Sequence, residues 1–289
     1  MCVHRIFMPA GFSGRLLKRL FRVVAGIRPN FILPRAMLLL VMYGAMAAPG
    51  PWGAAAHAQT DEIQVYDARI NDPGQFSLTL HNNFTPNGRK ESDSPGGIAP
   101  HNTLNGVPEL AYGVKDWLEI GAYFPIYSVT DDGSALFDGM KLRALFVTPR
   151  AQERKFFYGV NFELSYNTRH WDPNRITGEI RTIIGCRLGP VDIIINPIFD
   201  TAFDGFNQIS FAPAERVAYN LSDLWAVAVE HYANYGSFND LLPRNRQYHE
   251  LFAVIDYKGG PYPVEFGIGH GLNSASDDLV LKLMVTRNF

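Results

Sequence analysis

Eight ionisable side chains stand inside otherwise apolar segments: Glu109, Glu119, Lys141, Arg143, Glu163, Glu179, Arg181 and Glu265. Each is flanked by aliphatic or aromatic residues, as Glu119 is in Leu118–Phe124 and Glu163 in Phe156–Leu164. Side chains of a strand point alternately to two faces, so these charges share one face and the apolar residues take the other. Arg187, Glu215, Glu230 and Lys282 are expected on the same charged face. Two kinds of chemistry follow from such a face. It sets a field along a narrow aqueous path, or it builds a salt-bridge network that fills an interior. Successive segments bring opposite signs together: Glu119, then Lys141 and Arg143, then Glu163, then Glu179 and Arg181.

Residues for covalent or metal chemistry are sparse. His81, His101, His170, His231, His249 and His270 are scattered and form no H-x-x-x-H pattern, and Cys2 and Cys186 form no C-x-x-C. The run Gly267–Gly271 (GIGHG) lacks the spacing of a dinucleotide fingerprint, and its alternate glycines read as room inside a curved sheet. His270 with Asn273 and Ser274 is the one local grouping of hydrolase residue types. It keeps an outer-membrane lipid-modifying enzyme as a rival, though no G-x-S-x-G elbow occurs. The expectation is no enzyme, no metal and no cofactor.

The elements that position the charges are strands. Period-two alternation predicts them at about 75–84, 107–114, 117–128, 139–148, 156–166, 178–188, 191–200, 209–220, 225–234, 248–257, 263–271 and 278–289. The segments 191–200 and 209–220 are interrupted by Pro197 and Pro213, and 248–257 has mixed faces because Glu250 shares parity with Phe252 and Val254. Connections alternate between tight (Lys115-Asp116, Gly189-Pro190) and long and polar (Thr85 to Gly106, Tyr235 to Gln247). That pattern predicts an all-β fold, a closed antiparallel transmembrane β-barrel with short periplasmic turns and longer external loops. The loop Asn87 to His101 is long enough to fold over the mouth. After residue 58 no apolar stretch reaches 18 residues, so any membrane crossing uses strands. A soluble barrel would turn its apolar face inward. A base facing hydrocarbon costs roughly 2–4 kcal/mol, which assigns the charged face to the lumen. Tyr112, Trp225, Tyr257, Tyr262 and Phe289 would girdle the short-turn rim. Phe84, Tyr127, Tyr166, Trp171, Tyr235 and Tyr248 would girdle the long-loop rim.

The two ends fit export. Residues 1–58 hold seven basic and no acidic residues, an apolar run Ala36–Ala48 and Ala56-His57-Ala58, the features of a cleaved signal peptide. Residues 59–74 read as a periplasmic lead-in and 75–289 as the barrel. Beyond residue 58, 19 basic residues face 28 acidic ones, a formal charge of −9 that argues against nucleic-acid partners. Phe289 closes an alternating strand and resembles the C-terminal signal read by the barrel assembly machinery. Arg287 occupies a position where that signal carries an apolar residue. The expected partners are that machinery, outer-membrane lipids and a small-molecule solute.

Pro108–Tyr127 (PELAYGVKDWLEIGAYFPIY), Phe156–Tyr166 (FFYGVNFELSY) and the terminal LKLMVTRNF resemble outer-membrane proteins of the phenol meta-degradation pathway type. That family repeats hairpins of the form E-x-x-Y-G-turn-L-E-x-G, which Glu109, Tyr112, Gly113, Leu118, Glu119 and Gly121 match. The resemblance implies a barrel for small apolar or aromatic molecules and carries over no binding residue. The resulting expectation is a narrow uptake channel in the outer membrane. Its alternative is a non-conducting structural barrel plugged by internal salt bridges.

Overall fold

The computed structural model describes residues 61–237 and 239–289, so the expected leader, residues 1–58, lies outside the described part. Alternation builds twelve strands: β1 Phe76–Asn87, β2 Thr103–Lys115, β3 Leu118–Val129, β4 Ala135–Val147, β5 Phe156–Asn167 and β6 Ile176–Leu188. β7 runs Val191–Asn196 and resumes at Ile198–Thr201, and β8 runs Ser210–Phe211 and resumes at Ala214–Asn220. β9 is Trp225–Asn234, extended by Gly236–Ser237. β10 is Tyr248–Tyr257, β11 Val264–Gly271 and β12 Leu279–Asn288. Each strand pairs antiparallel with its sequence neighbours. β1 closes the ring on β12, with Ser77 opposite Asn288 and Leu80 opposite Val285. Closure removes both sheet edges. Among the described residues no helix is long and apolar enough to cross a membrane.

The two prolines that interrupt alternation do so in adjacent strands. Proline removes a ladder donor, so β7 breaks at Pro197 and β8 at Pro213. Their carbonyls stay in the ladder, accepting from Thr182 N–H (2.9 Å) and Ala233 N–H (3.0 Å). The break also moves a side chain. Beyond Pro213, Ala214, Arg216 and Ala218 are buried in the interior, while Val217 and Tyr219 face out. Glu215, expected inside, therefore lies outside and accepts a hydrogen bond from His231 (2.7 Å). A second shift in β3 leaves Phe124 and Pro125 exposed and sends Ile126 inward.

The outer wall is an apolar belt. Ile120 (46%), Phe162 (44%) and Leu283 (38%) remain exposed, as do Leu80, Leu110, Leu142, Ile180, Val229, Leu251 and Ile268. A belt that runs round the whole barrel far exceeds the patch that a soluble monomer leaves bare, and hydrocarbon is the solvent that covers it. At the short-turn rim Trp225 packs on Tyr257 (4.8 Å between centroids), and Tyr262 and Phe289 are exposed, as an interfacial girdle requires. The other girdle is thinner than expected, because Tyr248 is buried and Trp171 packs against Val107, Tyr123 and Ile126. The inward glycines give room to large neighbours. A Cβ on Gly267 would lie 2.9 Å from the Lys282 side chain, and one on Gly269 2.4 Å from the Phe252 ring.

In a Cys186→Ser background, Ile120→Cys, Phe162→Cys and Leu283→Cys in lipid vesicles should resist a water-soluble maleimide and react with a lipid-soluble one. Equal reaction with both reagents would remove the membrane-facing assignment.

Candidate functional site

The interior is occupied by the chain's own N-terminal side. Residues 59–74 read as a periplasmic lead-in whose entry into the lumen the pattern leaves open; of these, Asp61, Glu62, Ile63, Val65, Tyr66 and Ala68 are buried among inward side chains of the wall. The segment leaves the short-turn rim at Gly74, whose N–H reaches the Gly113 carbonyl (2.8 Å). It then runs through the lumen toward the long-loop side, where Asp61 lines the mouth. Ile63 packs with Phe252, Val254 and Val280, and Val65, Tyr66 and Ala68 pack with Leu145, Phe157 and Ile183. These contacts explain the mixed face of β10: its inward Phe252 and Val254 touch chain, not water.

A segment without strand partners must still satisfy its peptide groups. The wall does this with side chains. Asn196 accepts from the Tyr66 N–H (2.6 Å) and donates to the Tyr66 carbonyl (3.0 Å). Asn83 donates to the Asp61 carbonyl (3.0 Å), Arg181 to that of Gln64 (3.0 Å) and Lys282 to that of Ile63 (3.2 Å). Near the short-turn rim, Glu119 accepts from the Asn71 N–H (2.6 Å). The Tyr66 hydroxyl meets that of Tyr123 (2.7 Å), and Arg181 lies 4.4 Å above the Tyr66 ring.

All eight sequence-predicted lumen residues point inside, where they gather into four groups. Arg143 bonds Glu109 and Glu119 (2.7 Å each), and His81 joins at Glu109 (3.0 Å). Lys141 pairs with Asp61 (2.5 Å) and Glu163 (3.8 Å). Arg181 grips Glu179 with two hydrogen bonds (2.8 and 3.1 Å). Lys282 bonds Glu230 and Glu265, and Arg216 bonds Glu230 and Asp256. Arg181, Lys282 and Glu230 are wholly buried, a state that large charges hold only when paired. Sequence reasoning did not find Asp61, Glu62 or Tyr66. A usable signal was present in the inward apolar residues Leu145, Phe157 and Ile183, which a water-filled lumen would not hold. Phe289 ends the ring, exchanging backbone hydrogen bonds with Phe76 (2.8 and 3.4 Å).

At the long-loop end a cavity of about 490 Å³ remains open. The loop from Gly88 to Asn102 does reach over it. Ser92, Pro95 and Ile98 line the cavity opposite His170 and Trp171, and the Ile98 N–H bonds the His170 carbonyl (3.2 Å). Arg89 ties this loop to Asp277 (3.3 Å) and pairs within the loop with Asp93. A smaller void of about 40 Å³ lies between residues 62–63, Tyr232, Tyr248 and Glu250, and Asp200 lines both spaces. His270 is exposed and its Nδ1 bonds the Asp278 carbonyl (2.7 Å), while Asn273 holds the Gln247 carbonyl (2.8 Å). Among the described residues no three His, Cys, Asp or Glu side chains are grouped to hold a metal ion.

Replacing Asn196 by leucine should leave both Tyr66 peptide groups unpaired, at about 1–3 kcal/mol each. The segment should loosen while the barrel persists. With Val65→Cys as reporter, thiol labelling should be slow in the parent chain and at least tenfold faster with Asn196→Leu. Unchanged labelling would mean that Asn196 does not hold the segment.

No family model matches the chain, and no curated protein sequence matches it. Among solved structures it is similar to the COG4313 outer membrane channel from Pseudomonas putida F1. That match has a TM-score of 0.53 and 13% identity and covers 79% of this chain and all of that one (100%). It is also similar to the KdgM porin in complex with disordered oligogalacturonate, with a TM-score of 0.50 and 9% identity, covering 74% of this chain and 99% of that one. At such identities the likeness is one of architecture. This chain has the fold of an outer-membrane β-barrel, the fold that those channels share.

Proposed function

We propose that the protein is a small-molecule uptake channel of the outer membrane whose lumen is gated by residues 61–72. The observation that carries this reading is the open cavity at the long-loop end, which leads onto a segment held by side-chain hydrogen bonds and not by a strand ladder. Such a segment can leave without breaking the barrel, since every strand keeps its neighbours. Glu109, Glu119, Lys141, Arg143, Glu163, Glu179, Arg181 and Glu265 then set the field along the path that opens. The sequence resemblance to barrels of the phenol meta-degradation pathway type supports a solute with an apolar or aromatic body, and Trp171 in the cavity wall suits one. Export through a cleaved leader and insertion by the barrel assembly machinery through Phe289 belong to the same reading.

The density of ion pairs favours a second reading, a permanently plugged structural barrel. Planar-bilayer recordings separate the two. On the channel reading, removal of residues 61–72 should convert small or intermittent conductance into a large steady one. Glu119→Gln or Arg143→Gln should then alter its ion selectivity. If the shortened barrel still conducts nothing and liposomes show no solute flux, the structural reading replaces the channel.

A further inference from the structure

The cavity that the gating proposal treats as the entrance has an unequal charge balance. Seven carboxylates line it against two permanently charged bases, Arg89 and Lys141. Both bases are already engaged, Arg89 by Asp93 and Asp277 and Lys141 by Asp61 and Glu163. His170, the remaining titratable base on the lining, bonds Asp138 (2.9 Å). Arg181, just beneath, is gripped by Glu179 and by the Gln64 carbonyl. The surplus is therefore acidic, and Asp200, which lines both spaces, belongs to it. Asp200 stands directly opposite Glu179 across the β6–β7 pair, where like charges repel.

The deeper void adds a stronger observation. Glu62 is 1% exposed and lines this void, yet neither of its carboxylate oxygens has a hydrogen-bond partner. The nearest cation, Arg181, is 3.9 Å away and otherwise committed. Glu250, fully buried, borders the same space, with the rings of Tyr232 and Tyr248 in its wall. A buried carboxylate in this state takes up a proton or a positively charged donor. The void of about 40 Å³ is enough for a group the size of one water molecule. An ammonium has that size, offers three donors and is attracted to aromatic faces.

We infer that the entrance and the void beneath it bind a small organic ammonium, with the cationic head directed to Glu62, Asp200 and Glu250 and the body left in the larger cavity. This deepens the channel reading by naming the charge of the solute, and it rests on that reading only for the idea that the bound molecule moves on. Anionic solutes are disfavoured by the same groups.

The test is equilibrium binding to the detergent-folded barrel, by calorimetry, of three probes with one aromatic body: benzylammonium, benzyl alcohol and benzoate. Benzylammonium should bind at least tenfold more tightly than either of the others. Glu62→Gln and Asp200→Asn should each reduce that preference fivefold or more. Asp132→Asn, in an exposed turn outside the cavity, should leave it unchanged. Heat-dependent gel mobility reports whether each variant is folded, and the three-probe comparison on the parent chain stands without any variant. Equal binding of the three, tighter binding of benzoate, or no binding at all overturns the inference. Binding is read without flux, so preference for the ammonium with no conductance would refute the channel and keep the site. Conductance without that preference would do the reverse.

Discussion

The structure depends on one requirement: peptide groups taken into the barrel without a strand partner must be satisfied by the wall. Residues 61–72 bring N–H and C=O groups into the lumen, where Asp61–Ile63, Val65, Tyr66 and Ala68 are buried. Asn83, Asn196, Arg181 and Lys282 answer those groups one by one. Two of these donors are neutral amides and two, Arg181 and Lys282, carry charge into the interior.

Placing those donors inside brings a second constraint. Arg181 and Lys282 are completely buried, and an unpaired charge there would be strongly destabilising. Carboxylates compensate, Glu179 from the same strand as Arg181, and Glu265 from the adjacent strand and Glu230 from across the lumen around Lys282. The lumen is thus wall, ion pair and threaded chain packed together, with apolar clusters around Ile63 and Tyr66 filling what the charges leave. Among the described residues, neither carboxylate oxygen of Glu62 or of Glu250 has a hydrogen-bond partner, and both side chains adjoin the smaller open space. A binding function is expected where packing and pairing stop short.

The barrel and the filling answer different solvents. Outside, hydrocarbon demands an apolar side chain at every second position and a closed ladder, and both requirements are local and periodic. Inside, the strand period says which side chains point inward but not what they meet. The contacts that hold the threaded segment join residues far apart in the chain, such as Tyr66 with Asn196 or Ile63 with Lys282. The two proline breaks show the transition: alternation stops at Pro197 and Pro213, the strands continue, and inward parity passes to Arg216.

The sequence by itself determined twelve strands, their antiparallel ring, the outward belt and the inward direction of Glu109, Glu119, Lys141, Arg143, Glu163, Glu179, Arg181 and Glu265. It could do so because hydrocarbon imposes a two-residue period that is written directly in residue order. Only the tertiary structure decided what the lumen contains. The segment from Asp61 to Gly74 has no period of its own and reads as a polar tail. Its place follows from donors and apolar side chains on many strands, whose convergence depends on strand register and closure. Glu215 and Arg216 exchange faces for a related reason, since a bulge changes parity without leaving a mark more specific than a proline. Pattern fixed what meets lipid, and three-dimensional packing fixed what the barrel encloses.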